Sequence, residues 1–364
     1  ITAWALRRGR AAIFADTGLG KTAMQLAWCD ALLRARAVDR ALILAPLAVG
    51  QQTVREAERF GYDGVRYARD SADARCTRIV VTNYERLDRF DPADFQAVVL
   101  DESSILKNYM GATKRALLAA FASTPYRLAC TATPAPNDHL ELGNHAEYLG
   151  VLTSHEMIAR WFINDTSTFG VYRLKGHARA HFWDWVCSWA RCAGLPSDLG
   201  AYSDDGFVLP ALCWQRHMVV PDIVSGRNGT LFRIPDMSAT AVHRERRMTA
   251  HMRAERVAAL VSAEPDEPWI VWCETDYEAD EVCSRIGDAV NVRGSDTTER
   301  KEAALVGFSE GSVRVLVTKP KIAGFGLNWQ HCARVAFVAA SYSYESVYQA
   351  VRRCWRFGQK RPVD

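Results

Sequence analysis

Short apolar runs alternate with longer amphipathic stretches over the first 150 residues of the chain. In the longer stretches apolar residues recur every three or four positions, which is typical of helices that bury one face. Apolar runs between such helices predict a parallel sheet that is buried on both faces. The predicted strands cover residues 11–16, 41–46, 78–84, 97–103 and 126–133. The predicted helices cover residues 21–37, 49–60 and 107–121.

The alternation stops near residue 150 and returns near residue 269. Residues 151–245 are rich in aromatic and turn-forming residues, and we interpret them as an irregular, partly helical insert. A long helix is predicted over about 242–263. The remaining predicted strands are 269–273, 289–294, 313–318 and 334–340, with helices at 276–286 and 297–309. The sequence therefore predicts an α/β protein with parallel-sheet lobes at 1–150 and 246–364 and the insert between them.

Composition narrows the class of protein. Hydrophobic residues make up 49% of the 364 residues and charged residues 24%, which is ordinary for a globular protein and too apolar for a disordered one. The net charge of +3 is too small to indicate nucleic-acid binding, so any basic surface must be local. No apolar run reaches the roughly 18 residues of a membrane span, and no signal-peptide pattern is found. Because the chain begins with Ile1, we expect it to be a fragment.

Ten cysteines are scattered along the chain without a C-x-x-C pair. Several lie inside apolar stretches, which favours reduced thiols that pack as small core side chains in a cytoplasmic compartment. One group has spacings compatible with zinc, but its histidines precede its cysteines in a tryptophan-rich segment, so we do not predict a metal site there. This group comprises His177, His181, Cys187, Cys192, Cys213 and His217.

A glycine-rich turn joins the first predicted strand to the first predicted helix. Its sequence over residues 15–22, A-D-T-G-L-G-K-T, is that of a P-loop, with Ala15 where the strict pattern has glycine. The glycines let backbone N–H groups surround phosphates at a helix N-terminus. Lys21 is predicted to reach the β- and γ-phosphates, and the Thr22 hydroxyl to bind Mg²⁺. The turn therefore predicts nucleotide binding.

Two carboxylates follow the apolar run at residues 97–100. Asp101 is predicted to hold Mg²⁺ through water, and Glu102 to polarise the water that attacks the nucleotide. The alternative is a surface acidic pair in the turn after a strand, which the P-loop upstream makes the weaker interpretation. A carboxylate in the base position favours hydrolysis over phosphoryl transfer to a metabolite.

The order of these motifs resembles the superfamily-two helicases, and within them the Swi/Snf-type double-stranded DNA translocases, including compact bacterial and phage members. The P-loop matches the G-L-G-K-T of that branch at residues 18–22. The acidic pair is followed by Lys107 and Asn108, as in D-E-A-H-x-x-K-N. Residues 349–359, Q-A-V-R-R-C-W-R-F-G-Q, are similar to Q-A-x-G-R-x-x-R-x-G-Q and form the most specific match in the chain.

This resemblance covers most of residues 1–150 and 250–363 and is weak over 151–245. It implies two RecA-like lobes, ATP and Mg²⁺ as cofactors, and a monomeric motor whose partner is DNA, with duplex favoured over single strands. It implies an ATP site formed by Thr17, Gly18, Leu19, Gly20, Lys21, Thr22, Asp101, Gly326 and Gln349. It implies DNA contacts or coupling roles for Pro46, Thr82, Asn83, Tyr84, Lys107, Thr131, Thr133, Thr318 and Asn328.

Two arginines near the end of the chain, Arg353 and Arg356, are expected three residues apart on one face of a helix. The residue pattern alone is equally compatible with arginine fingers on the γ-phosphate and with a solvated basic helix end. The family resemblance implies fingers, which are worth about 10³–10⁵ in rate in other nucleotidases.

The insert contains an aromatic run, F-W-D-W-V-C-S-W, at residues 182–189. Such a run could stack on the bases of single strands. Phe182, Val186 and Trp189 share one helical face, however, so packing of the insert onto a lobe is the favoured interpretation.

The chain departs from the family pattern at Thr17 (usually Met), at Ser104 (the His of D-E-A-H) and at two glycine positions, Phe325 and Arg352. The family histidine couples hydrolysis to nucleic acid, so Ser104 bears on that coupling. The adenine-reading Gln motif of the family is expected upstream of Ile1. The leading expectation is an ATP-driven duplex-DNA translocase of a bacterium or phage-infected cell. The alternatives are a strand-separating DNA or RNA helicase, and an ATP-gated nucleic-acid clamp whose hydrolysis has decayed.

Overall fold

The computed structural model describes residues 1–46, 49–107, 111–164, 172–220, 238–323, 328–339, 341 and 343–364. The chain divides into a first unit, Ile1–Val208, and a second unit, Leu209–Asp364. None of the helices in the described ranges has both the length and the hydropathy needed to cross a membrane.

The first unit contains the strands and helices predicted for the first 150 residues, each within a few positions, although the helix expected from residue 107 begins at Ala112. Its helices are α1 (Thr2–Arg8), α2 (Lys21–Arg34), α3 (Gly50–Arg59), α4 (Ala112–Ala120), α5 (Leu142–Leu149), α6 (Ser154–Trp161) and α7 (Arg179–Trp189). Its strands are β1 (Arg10–Ala15), β2 (Ala41–Ala45), β3 (Val65–Tyr67), β4 (Ile79–Asn83), β5 (Ala97–Asp101), β6 (Tyr126–Cys130), β7 (Phe162–Asn164), β8 (Tyr172–Leu174) and β9 (Ala190–Ala193). Short 3₁₀ helices include Tyr84–Arg89 and Ser103–Lys107, directly after β4 and β5.

Seven of these strands form one parallel sheet in the order β3-β4-β2-β5-β6-β1-β9. Alternate residues of a strand point to opposite faces, and both faces are apolar here. On β1, for example, Ala12 and Phe14 join one core cluster, whereas Ala11, Ile13 and Ala15 join another. The central strands are therefore buried on both faces, as their continuous apolar runs predicted.

The predicted boundary at residue 150 is wrong, because the chain up to Val208 belongs to the first unit. Strand β9 extends the sheet by pairing with β1, with Ala190 opposite Ala12. Helix α7 buries Phe182, Val186 and Trp189 in the core of the same unit, which confirms the packing interpretation of the aromatic run.

The second unit is a smaller α/β arrangement. Its helices are α8 (Ala239–Met248), α9 (Ala250–Ala263), α10 (Asp276–Cys283), α11 (Thr298–Glu310), α12 (Pro320–Ala323) and α13 (Tyr344–Val351). Its strands are β10 (Trp269–Trp272), β11 (Ala289–Val292), β12 (Val315–Thr318) and β13 (Arg334–Phe337), paired in parallel in the order β11-β12-β10-β13. The prediction of two parallel-sheet lobes is confirmed.

The single long helix predicted over 242–263 is two helices separated at Thr249. The Thr249 hydroxyl donates to the carbonyl of Glu245 at 2.8 Å and also accepts from Arg253 at 3.3 Å. A threonine that bonds locally in this way competes with continuous helix geometry. Apolar periodicity runs through the junction, so the pattern alone did not show the break.

Candidate nucleotide site

The predicted P-loop lies between β1 and α2, as expected. Gly18 and Gly20 have φ values of 90° and 77°, in the left-handed region where residues with a Cβ are strained. Helix α2 begins immediately afterwards at Lys21, so the turn delivers its N–H groups to a helix N-terminus. A local hydrogen bond stabilises the turn, since the backbone N–H of Thr17 donates to Asp16 Oδ1 at 2.6 Å.

The Lys21 ammonium group is held at the end of β1. Its Nζ donates to the carbonyls of Ala15 at 2.8 Å and Asp16 at 3.2 Å. Burial lowers the pKa of Lys21, while the nearby carboxylates of Glu102 and Asp101 act in the opposite direction. These carbonyl contacts are ones that a nucleotide phosphate can replace.

Asp101 ends β5 and is buried beside α2. Its Oδ1 accepts a hydrogen bond from Gln25 Nε2 at 2.7 Å. Desolvation, together with the charge of Glu102, raises the pKa of Asp101 to about 6. Gln25 was not predicted from the sequence, although its position one helical turn after Lys21 places it on the same face of α2.

Glu102 has φ of 54°, one of two left-handed non-glycine residues among those described. A non-glycine residue in this region costs on the order of 1–3 kcal/mol and persists only where its surroundings hold it. Thr131, just after β6, donates its hydroxyl to Glu102 Oε2 at 3.1 Å. The backbone N–H of Thr133 donates in turn to Thr131 Oγ1 at 3.1 Å. Thr131 and Thr133 are thus buried supports of the acidic site.

The residues at this site suit Mg²⁺, which prefers oxygen ligands. Thr22 carries a hydroxyl and Asp101 a carboxylate, and their roles as Mg²⁺ ligands stay predictions from the sequence. Beside them the buried Gln25 Oε1 has no hydrogen-bond partner within the described residues and can accept from a cation-bound water. No cluster of three or more His, Cys, Asp or Glu side chains suited to a metal occurs among the described residues.

Thr82 and Asn83 at the end of β4, and Tyr84 directly after it, are buried, which argues against direct DNA contact by their side chains, while a coupling role stays a prediction. Thr82 donates its hydroxyl to the carbonyl of Ala68 at 2.9 Å, and Asn83 donates to the hydroxyl of Tyr67 at 3.0 Å. Tyr84 donates its hydroxyl to the backbone carbonyl of Asp101 at 2.6 Å. Side chains at this end of the sheet are buried because core residues cover both of its faces. Tyr84 thereby contacts the backbone of the acidic pair.

The other predicted DNA-track residues of the first unit differ in exposure. Lys107 is exposed at the end of its 3₁₀ helix, and Pro46, after β2, is half-buried. In the second unit Thr318 is buried, with its hydroxyl bonded to the carbonyl of Val292 at 3.1 Å, and Asn328 is half-buried. Gly326, together with the rest of residues 324–327, lies outside the described residues.

Arg353 and Arg356 do not lie on a helix as predicted, because α13 ends at Val351 and both follow in a tight turn. Arg353 is 2% exposed, and its guanidinium donates to the backbone carbonyl and to Oε1 of Gln349, each at 2.9 Å. Gln349 is thereby engaged within the second unit. Arg356 is half-buried.

Helix α5 adds two residues near the acidic site that the sequence analysis missed. Asn144 Nδ2 donates to the carbonyl of Lys107 at 3.0 Å, and His145 Nε2 lies 3.0 Å from the carbonyl of Pro134. Both are buried. The sequence carried no local signal for them, because α5 meets these carbonyls only in the folded unit.

His145 should make the stability of the first unit depend on pH. Burial lowers its pKa to about 4, from about 6.5 in an unfolded chain. Between these values the unfolded state binds the extra proton, so stability falls as pH decreases from 6.5 to 4, by on the order of 3 kcal/mol. Denaturant unfolding of the wild type and of His145→Gln should therefore diverge over this interval, with the variant lacking this component. Parallel curves would contradict the assignment.

Two family models match the chain in the same order as its motifs. A family model described as SNF2-related domain matches residues 3–168, and one described as Helicase conserved C-terminal domain matches residues 252–358. A search of curated proteins found no match. The Sulfolobus solfataricus SWI2/SNF2 ATPase core in complex with dsDNA is 16% identical, covering 100% of this chain and 84% of that one, with a TM-score of 0.49. A fragment assigned to an HsdR subunit of a type I restriction enzyme from Vibrio vulnificus is 17% identical, covering 98% of this chain, with a TM-score of 0.59.

This chain spans 61% of the length of the Vibrio fragment, whose similarity establishes a shared fold. The two family models match successive regions that together contain the P-loop, the acidic pair and the arginine pair. Their order along the chain is that of two RecA-like lobes. The chain belongs to the superfamily-two helicase ATPases of the Swi/Snf type, with an SNF2-related domain followed by a helicase C-terminal domain.

Proposed function

We propose that this protein is an ATP-driven motor that hydrolyses ATP to ADP and phosphate and moves along duplex DNA. The observation that carries the proposal is the position of Glu102. Its carboxylate follows Asp101 at the end of β5 and is held by the Thr131 hydroxyl at the end of the neighbouring strand β6. Lys21 completes the set at the end of β1. Family membership supports a motor that depends on DNA.

The proposed reaction is an in-line displacement at the γ-phosphorus. Glu102 accepts a proton from water as the water oxygen bonds to phosphorus, and the bond from phosphorus to the bridging oxygen of ADP breaks. Lys21 neutralises charge on the β- and γ-phosphates. Thr22 and Asp101 would hold Mg²⁺, which would withdraw charge from the phosphate oxygens. The proton finally leaves Glu102 for solvent.

We further propose that Thr131 and Thr133 couple this chemistry to DNA through Glu102 and do not contact DNA themselves. Both threonines are buried, and Thr131 bonds directly to the catalytic carboxylate. The exposed Lys107 is the better candidate for a phosphate contact in this unit. Contacts of this kind position the motor without reading sequence, and they weaken with salt.

Steady-state ATP hydrolysis tests the proposed function directly. We expect duplex DNA to stimulate hydrolysis strongly, and single-stranded DNA or RNA to stimulate it much less. Because phosphate contacts release counterions, the DNA concentration that gives half-maximal stimulation should rise steeply with salt. The assay compares no nucleic acid with duplex DNA, single-stranded DNA and RNA, and a strand-displacement assay on triplex DNA then measures translocation.

The Glu102→Gln variant is the control for contaminating ATPases. Stimulation of hydrolysis mainly by single-stranded DNA or RNA would indicate a strand-separating helicase instead of a duplex-DNA translocase. ATP binding without hydrolysis under every condition would leave an ATP-gated nucleic-acid clamp. A hydrolysis rate unaffected by nucleic acid at every salt concentration would refute coupling to DNA.

A further inference from the structure

Helix α5 contacts both segments that hold the Glu102 carboxylate. One is the 3₁₀ helix Ser103–Lys107, which follows Glu102 directly, and its last carbonyl accepts from Asn144 Nδ2 at 3.0 Å. The other is the segment after β6, where the Pro134 carbonyl lies 3.0 Å from His145 Nε2. Adjacent residues of one short helix thus bond to two segments on either side of the acidic site.

His145 can serve only as a donor in this contact. A carbonyl oxygen accepts and cannot donate, so the proton must reside on Nε2. The other ring nitrogen, Nδ1, has no hydrogen-bond partner among the described residues, and the ring is fully buried, with an edge-to-face contact to Phe14 at 5.2 Å between centroids. Burial keeps the ring neutral at neutral pH by lowering its pKa to about 4.

The orientation of the Asn144 amide is fixed by its other partners. Its Oδ1 accepts from Lys114 Nζ at 2.9 Å. Lys114 is itself paired with Glu147 at 2.6 Å, and the Ser154 hydroxyl, 3.3 Å from Asn144 Oδ1, donates over the shorter distance of 2.8 Å to the same Glu147 oxygen. Because the Lys114 ammonium group donates to Oδ1, the Nδ2 group must face the Lys107 carbonyl.

These contacts close a ring around Glu102. From Glu102 the chain runs to the Lys107 carbonyl, which bonds to Asn144, and the next residue, His145, bonds to Pro134. From Pro134 the chain runs back to Thr131, whose hydroxyl bonds to Glu102 Oε2. We propose that Asn144 and His145 are positioning residues that hold this ring closed and thereby fix the Glu102 carboxylate for catalysis. The proposal rests on the proposed function, in which Glu102 accepts the proton from water.

Opening the ring should affect the chemical step more than nucleotide binding. The P-loop and Lys21 lie outside the ring, so the KM for ATP should change little. A displaced general base, in contrast, loses its alignment with the attacking water, and small misplacements can cost on the order of 10²-fold in rate. The left-handed backbone of Glu102 makes the site sensitive, because a strained residue relaxes when its supports are removed.

The test compares His145→Leu, His145→Gln and Asn144→Asp with the wild type and with Thr53→Ala. Leucine removes the donor, whereas the amide nitrogen of glutamine can reach the position of Nε2. Aspartate keeps the acceptor for Lys114 but cannot donate to the Lys107 carbonyl. Thr53→Ala loses a buried hydroxyl on α3 that donates to the Val49 carbonyl at 3.2 Å and contacts no residue of the ring, so it controls for a general loss of stability.

We expect His145→Leu and Asn144→Asp to lower kcat at least tenfold with an unchanged KM for ATP, and His145→Gln to recover most of kcat (about 1.4 kcal/mol per factor of ten). Thr53→Ala should keep kcat even if its melting temperature falls. Full kcat in folded His145→Leu, or equal losses in the leucine and glutamine variants, would overturn the proposal.

Hydrogen–deuterium exchange supplies a readout that does not require turnover. In His145→Leu, segments 102–107 and 131–134 should exchange faster than in the wild type, while the strands of the sheet keep their protection. Unchanged exchange in both segments would overturn the proposal even in a protein that hydrolyses no ATP. If only the proposed function is wrong, the wild type will not hydrolyse ATP, but His145→Leu will still exchange faster than the wild type in these two segments.

Discussion

Glu102→Gln is expected to lower the rate of ATP hydrolysis by about 10²–10⁴-fold, the usual contribution of a general base, while ATP still binds. The amide has the shape of the carboxylate but cannot accept the proton from water. Its carbonyl oxygen can still accept from the Thr131 hydroxyl, so the local fold should persist. Removing the charge of Glu102 also removes one cause of the raised pKa of Asp101, so the cation site should be at least as well ionised as before.

Single-turnover hydrolysis and binding of a fluorescent ATP analogue measure the two properties separately. Glu58→Gln is a matched control, because this carboxylate lies exposed on α3 and should leave both rate and affinity unchanged. A Glu102→Gln protein that hydrolyses ATP within about twofold of the wild type would remove Glu102 from the role of base. Loss of binding along with hydrolysis would instead indicate that Glu102 supports the site as a whole.

The central strands could be predicted from the sequence because burial on both faces leaves a continuous apolar run, as in A-V-V-L before Asp101. Strand β9 could not, because its sequence, A-R-C-A, has no such run. Its place depends on β1 alongside it, and on Arg191, whose guanidinium lies 4.2 Å from the ring centroid of Trp4 on α1. Contacts of this kind join residues far apart in sequence, which is also why the boundary at 150 was misplaced.

Some residues of the candidate site could likewise be predicted from the sequence, and others could not. Lys21, Asp101 and Glu102 were predicted because their chemistry requires fixed residue types at strand ends, in an order that the chain displays. The sequence did not predict that Thr82, Asn83 and Tyr84 are buried, since a motif gives residue types but not the face on which a side chain lies. Asn144 and His145 were missed for a further reason. Each bonds to a backbone carbonyl of another segment, and because every residue has a carbonyl, the sequence does not show which one accepts.

The arginine pair separates a catalytic role from a structural one. Arg356→Ala is expected to lower kcat for ATP hydrolysis by about 10³–10⁵-fold, as for arginine fingers in other nucleotidases, without a large change in the stability of the second unit. Arg353→Ala should lower both kcat and the stability of the second unit, because the Arg353 guanidinium donates to the backbone carbonyl and side chain of Gln349. Leaving such buried acceptors unsatisfied costs on the order of 1–3 kcal/mol each.

Thermal unfolding measured beside kcat distinguishes these outcomes, and Arg361→Ala is the control. Arg361 belongs to the same basic segment but forms a partly exposed ion pair with Glu267 at 2.8 Å, worth at most about 1 kcal/mol. Its loss should leave kcat unchanged. If Arg356→Ala keeps kcat as Arg361→Ala does, the arginines form only a basic turn. An arginine finger differs from a solvated cation because it neutralises charge on the γ-phosphate, so its loss must lower kcat. If only Arg356→Ala loses activity while it remains folded, the finger role belongs to Arg356, and Arg353 serves mainly to hold the turn that presents it.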